Sequence, residues 1–198
     1  MTFLPHRLHD AARRETGGRG RFLAVICVLV VFCFTGSAQQ VSKDYQIKAV
    51  FLWRLAQFVT WPAQAFEDDS TPLVIGVLGQ DPFGEALDLA VRGETVRGRN
   101  VTVERFGSVA AIKTCHILYV SPSEASHARD ITSTLTARSI LTVSDMDEFV
   151  TRHGGMIRFV SESESGKIQL RINPNVTKRA QLTLDSRLLR MADLVPPE

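Results

Sequence analysis

Three short stretches place polar groups where an α/β protein could hold a small molecule: Gly79-Gln80-Asp81, Ser121-Pro122-Ser123 and Ser144-Asp145. Each follows an apolar run that reads as a strand, and each precedes a candidate helix start. In an open α/β sheet the ligand crevice lies beyond the carboxyl ends of the strands, so these turns would line it. Free N–H groups at the helix starts would favour an anion there. Asp81, Glu124, Asp145 and Glu148 already place carboxylates at the same ends, however. The stretch 79–84 has neither a Lys-Ser/Thr pair nor a G-x-G start, so it is no phosphate loop. The same Asp and Ser side chains are good helix N-caps, and a purely capping role is the competing reading.

Other reactive residue types are scattered. His116 falls inside an apolar strand, His127 on a helix and His153 beside a double glycine, with no pair at metal-ligand spacing. No G-x-S-x-G nucleophile elbow occurs. Arg97-Gly98-Arg99 could clamp an anion, but next to Asn100 it reads as a solvated turn. No residue is assigned to catalysis or to a metal, no cofactor is implied, and an enzyme is disfavoured. One surface candidate remains. On a helical wheel begun at Asp44, Trp53 projects from a polar arc of Gln46, Arg54, Gln57 and Thr60. An aromatic there is either a partner-binding anchor or a side chain packed between layers.

The elements that would position these groups alternate in type. Residues 44–60 have helical spacing, with Ile47, Phe51, Leu55, Phe58 and Val59 on one face, closed by Trp61-Pro62. Strands are expected at 73–78, 101–106, 115–120 and 140–143, and a hairpin at 156–160 and 167–172. Helices are expected from Asp81 with Pro82 in first position, from the capping box Ser121–Glu124, from a second box Asp145–Glu148, and over 186–192. The fold class is therefore α/β: a single three-layer domain with a central mixed, mostly parallel sheet and helices on both faces. The continuously apolar strands should be central and parallel, and the last hairpin an antiparallel edge.

The N-terminal segment reads as an export signal over residues 1–38. Arg13, Arg14, Arg19 and Arg21 precede an apolar run over 22–34, and Gly36-Ser37-Ala38 supplies small residues for cleavage. A spanning helix needs about 20 apolar residues, so an uncleaved anchor is the weaker reading. The leader carries five of the 23 basic and two of the 21 acidic residues, leaving 18 against 19 and a net charge of −1. Nothing then remains to track a phosphate backbone, and nucleic acid is excluded as a partner. The leader also takes Cys27 and Cys33, so Cys115 stands alone in residues 39–198 without an intramolecular mate. It reads as a small buried core residue.

Several segments, taken in order, resemble the YfiR family of exported bacterial proteins, also called YfiR/HmsC-like. The segments are Asp44-Tyr-Gln-Ile-Lys-Ala-Val-Phe-Leu with Phe58-Val-Thr-Trp61-Pro62, then Leu73 to Gly84, then Cys115-His-Ile-Leu-Tyr-Val-Ser. The block from Ile140-Leu-Thr-Val-Ser-Asp through Gly154-Gly155-Met-Ile-Arg-Phe to Gly166-Lys167-Ile-Gln-Leu-Arg-Ile-Asn completes the series. One departure falls at Ala180-Gln181-Leu182, where family members often carry glycine before the leucine. The resemblance implies a non-enzymatic periplasmic regulator. Such a protein binds the periplasmic sensor domain of an inner-membrane diguanylate cyclase, lowering cyclic di-GMP and biofilm formation. The alternative is a periplasmic small-molecule-binding domain, and a homodimer is left open.

Overall fold

The computed structural model describes residues 41–162 and 167–196. The expected leader with Cys27 and Cys33, and Gly166 of the expected hairpin, lie outside these residues. Helix α1 (Lys43–Leu55) starts at Ser42, whose hydroxyl accepts from the Tyr45 N–H, and carries Asp44 in its first turn. It ends sooner than its spacing predicts. After a 3₁₀ turn (Ala56–Phe58), β-branched Val59 and Thr60 form strand β1. The reason is tertiary, because β1 pairs antiparallel with β9 (Thr183–Leu184) and the Asp185 N–H donates to the Phe58 carbonyl at 2.8 Å.

The main sheet has eight strands among the described residues, in the order β10 (Asp193–Leu194), β8 (Ile168–Ile172), β7 (Ile157–Ser161), β6 (Leu141–Ser144), β5 (Ile117–Val120), β2 (Leu73–Leu78), β4 (Arg99–Phe106) and β3 (Thr95–Val96). Its centre is β4 (Arg99–Phe106), β2 (Leu73–Leu78), β5 (Ile117–Val120), β6 (Leu141–Ser144) and β7 (Ile157–Ser161), all mutually parallel. Every residue of β2, β5 and β6 is buried, as expected for strands covered on both faces. The hairpin of β7 with β8 (Ile168–Ile172) and the short pair β3 (Thr95–Val96) with β4 are antiparallel. That hairpin is not the edge, because the two-residue strand β10 (Asp193–Leu194) adds outside β8 in parallel. The fold is thus the α/β domain expected from the sequence, with a mixed, mostly parallel sheet.

Two cores fill the faces of the sheet. Ile75, Val77, Ile117, Tyr119, Leu141 and Val143 pack under α1 and α2 (Glu85–Val91). Leu78, Leu118 and Val120 pack under α3 (Ala128–Leu135) and the side chain of Phe149. Helix α1 and the 3₁₀ turn that follows it meet the core through Ala49, Leu52 and Ala56, all fully buried. The contact face is therefore turned by one residue, about 100°, from the stripe through Phe51. Phe51 is 37 % exposed and Trp53 only 6 %. The wheel position of Trp53 is corrected accordingly, since small alanines let the helix sit close to the sheet on that side.

Two capping expectations also change. Helix α2 begins at Glu85, not at Pro82, because Phe83 inserts fully into the core first. No helix follows Asp145. Glu148 instead adopts φ 57°, and its carbonyl gathers the N–H groups of Thr151, Arg152 and His153. Ser121 does open a helical stretch, a 3₁₀ segment (Pro122–His127) leading into α3.

The remaining α-helices among the described residues are α4 (Pro174–Arg179) and α5 (Ser186–Met191). Gln181 follows α4 at φ 60°, the left-handed region that favours glycine. Its side chain is held by Gln64 at 3.0 Å.

The double glycine has two separate duties. Gly154 sits at φ 69°, while a Cβ on Gly155 would stand 2.2 Å from the Phe149 ring. That ring is fully buried and cannot yield. Gly155→Ala is expected to overpack this contact and lower the melting temperature by roughly 3–10 °C. Calorimetry of the purified domain checks this; an unchanged melting point would contradict the contact.

Candidate functional site

Asp145, at the end of β6, is the most heavily bonded of the expected site residues. Its Oδ1 accepts from the Tyr119 hydroxyl at 2.5 Å, and its Oδ2 from the Tyr45 hydroxyl at 2.9 Å and Lys48 Nζ at 2.7 Å. Lys48 reaches Asp44 as well, at 2.6 Å, and is itself 4 % exposed. Phe83 lies edge-on to both phenols, with ring centroids 5.5 Å from Tyr45 and 4.7 Å from Tyr119. Three aromatic rings and a helix therefore enclose one carboxylate and one ammonium.

The electrostatics follow from that enclosure. Burial by itself would raise the Asp145 carboxyl, but the Lys48 ammonium and the two phenol donors outweigh it and hold it below the ordinary carboxylate value. Burial likewise works against the Lys48 charge, and Asp145 and Asp44 overcome it and raise the ammonium. Desolvation, then the adjacent carboxylate, raises both tyrosines. Neither ion is poised to exchange a proton near neutrality, so the cluster acts as a lock between α1 and the sheet.

Of the other expected residues, Gln80, Ser121 and Ser123 bond to one another, and Ser144 and Asp81 bond to neighbouring groups. The Gln80 N–H donates to Ser123 Oγ at 2.9 Å, and a Cβ on Gly79 would fall 2.5 Å from that oxygen. Ser121 Oγ accepts from the Ser123 N–H at 3.3 Å. Ser144 Oγ donates to the Val120 carbonyl at 2.7 Å and accepts from the Met146 N–H at 3.1 Å. Asp81 accepts from the Phe83 N–H at 2.7 Å and from Arg105 Nε at 2.8 Å. Gly79, Gln80, Ser121 and Ser123 thus meet, whereas Asp145 joins α1. Tyr45, Lys48 and Tyr119 were missed by sequence reasoning. A lysine four residues after Asp44, the spacing that lets the two pair on one helix face, was the available signal.

His116 is structural. Its Nδ1 accepts from the Val74 N–H at 3.0 Å, its Nε2 lies 3.0 Å from the Ala65 carbonyl, and its ring stacks on Phe66 at 4.3 Å. Burial lowers its pKa. Cys115 is free and buried, and burial pushes its thiol up to about 12.

Beside α1 lies a groove of about 380 Å³. Phe51, Trp53 and Leu55 of α1, Leu170 of β8, and Leu188 and Met191 of α5 line it. Trp53 forms its wall, while Phe51 at 37 % and Met191 at 69 % exposure stand at the rim. Arg54 lies over the Trp53 ring at 5.8 Å and Arg187 over Phe58 at 5.6 Å. The groove offers aromatic and thioether surface with cationic groups beside it, the composition of a protein-binding patch.

The sequence matches the profile of a protein family described as YfiR/HmsC-like over residues 45–193, from Tyr45 in α1 to Asp193 in β10. The chain belongs to the YfiR/HmsC-like family. Membership supports, at the level of the family, a periplasmic regulator within a diguanylate cyclase system. The matched span contains both the Asp145 cluster and the groove. No curated protein matches the sequence. Among the described residues, no helix is long and apolar enough to cross a membrane.

Asp145→Asn tests the lock. Removing one partner of a buried ion pair costs about 3 kcal/mol, here at the low end because Asp44 still faces Lys48. Asp145 has a depressed folded pKa, so its contribution is present above roughly pH 4 and lost as pH falls through the folded value. Lys48 has a raised one, so its contribution is full below about pH 10.4 and lost as pH rises further. Urea unfolding should show the gap between wild type and variant flat across neutral pH and narrowing below about pH 4. An equal gap at pH 3 and pH 7 would remove the charge from the explanation.

Proposed function

We propose that this protein is exported and holds the periplasmic sensor domain of an inner-membrane diguanylate cyclase in an inactive conformation, lowering cyclic di-GMP and opposing biofilm formation. Family membership supports the class of function. The observation that carries the mechanism is the groove: Trp53 walls it, and Phe51 and Met191 stand exposed at its rim. An apolar segment of the sensor domain would insert between α1 and α5. Carboxylates flanking that segment would meet Arg54, Arg187 and Arg190, against which the chain sets Asp185 nearby.

Repression requires no chemistry. A regulator that prefers the inactive conformation by about 5.5 kcal/mol moves a two-state partner from one extreme population to the other. A few buried aromatic and thioether contacts can supply a difference of that size. Export itself rests on the leader over residues 1–38. Mass spectrometry of the protein from the periplasmic fraction is expected to show a chain beginning at Gln39. Recovery of an intact chain in the membrane fraction would overturn export by cleavage.

Wall and rim residues should separate experimentally. Trp53→Ala empties a buried site and is expected to cost roughly 3–5 kcal/mol of stability. Phe51→Ala with Met191→Ala removes exposed surface and should shift stability by less than about 1 kcal/mol. The double variant should nevertheless release the cyclase, since truncating central interface side chains costs binding on the order of 2 kcal/mol or more. Cellular cyclic di-GMP and thermal unfolding, measured on the same variants, check both halves. Unchanged repression by the double variant would exclude the groove as the contact surface.

A further inference from the structure

On the sheet face opposite α1, strands β7 and β8 set two arginines directly across from each other. Arg158 pairs in register with Arg171, while their neighbours Ile157, Phe159, Leu170 and Ile172 point into the α1-side core. Like charges directly opposite on one face are unfavourable unless something offsets them. Both arginines line a cavity of about 460 Å³ whose wall is the irregular turn carrying Asp147, Glu148, Val150 and Thr151.

The bonding of the two guanidiniums is incomplete. Arg158 Nη2 donates to Asp147, and Arg171 Nε lies 3.1 Å from Asp193 Oδ2 but out of line for a hydrogen bond. The Nε atoms of both arginines are buried without a hydrogen-bond partner. Both guanidiniums line the cavity and keep N–H donors beyond the one bond to Asp147, so an acceptor there can bridge them. The present counter-ion at Arg158 is weakly held, because the Asp147 side chain is 89 % exposed. An exposed pair of that sort is worth about 1 kcal/mol or less, so an entering anion displaces it at little cost.

We infer that this cavity binds a small oxyanion, a carboxylate or phosphate group, bridged between Arg158 and Arg171 with Asp147 swung aside. The site lies on the other face of the sheet from the groove between α1 and α5, and it does not depend on the regulatory reading. Glu148, Arg152 and Asp193 are the remaining charged groups around it, with Glu148 and Arg152 paired at 3.1 Å and Asp193 turned to Arg171.

Isothermal titration of the mature protein at low ionic strength, with inorganic phosphate and separately with succinate, tests the site. At least one probe should bind. Arg158→Gln and Arg171→Gln should each weaken it roughly tenfold or more, the usual loss for a charge-assisted hydrogen bond. Asp147→Asn removes the competing carboxylate and should tighten binding at least about threefold, an effect that a merely structural ion pair would not produce. Preference for phosphate would mark a phosphate-bearing ligand, and preference for succinate a carboxylate one. If neither probe binds wild type or Asp147→Asn, the proposal fails. It fails too if Asp147→Asn binds no more tightly, or if folded Arg158→Gln and Arg171→Gln proteins bind as well as wild type.

Discussion

Lys48 and Asp145 lie far apart in sequence and meet at 2.7 Å where β6 ends, with two phenols completing the carboxylate's bonding. Breaking such a pair from one side is far costlier than never having built it, because the surviving charge stays buried. The pair consequently fixes both the rotation and the depth of α1 on the sheet. Turned by a single residue, the helix would carry Lys48 off Asp145 and bring Phe51 toward the core. The groove between α1 and α5 exists in its present form because that rotation is set.

The same lock decides what the strand ends can do. In many α/β domains the space beyond the carboxyl ends of the strands receives a ligand. Here Tyr45 and Lys48 of α1, with Phe83, occupy the space above β5 and β6, and the turns at Gly79-Gln80 and Ser121–Ser123 bond to each other. Chemistry near neutral pH would need groups with accessible proton equilibria. Burial and pairing move Asp145, Lys48, Tyr45 and Tyr119 all away from that range. Two open features among the described residues lie on its flanks instead: an apolar groove on one face and an arginine pair on the other. That distribution suits a protein that works by being bound, in keeping with a regulatory family.

Much of the framework was legible in the residues. Continuous apolar runs such as Leu73–Leu78 specify buried strands, and every residue of that run is buried. Gly154-Gly155 marked the turn into β7, and the hairpin of β7 and β8 follows from alternation. The alternation of strand and helix bounded the fold class before any contact was known. These features depend on local propensity and on a period of two or 3.6 residues, which neighbours in sequence determine by themselves.

Tertiary contact decided the rest. Helix α1 has apolar residues almost all round, so its wheel admits two orientations, and only the fully buried Ala49, Leu52 and Ala56 select one. Asp145 has the sequence context of an N-cap, yet a lysine and two tyrosines from distant elements outbid the neighbouring N–H groups for its oxygens. Trp53 seemed to belong to a polar arc and instead walls a groove completed by Leu170 and Leu188 from the far end of the chain. Local pattern states which residues want burial or a hydrogen bond. Which partner satisfies them depends on close packing between segments distant in sequence, and that is a property of the folded chain alone.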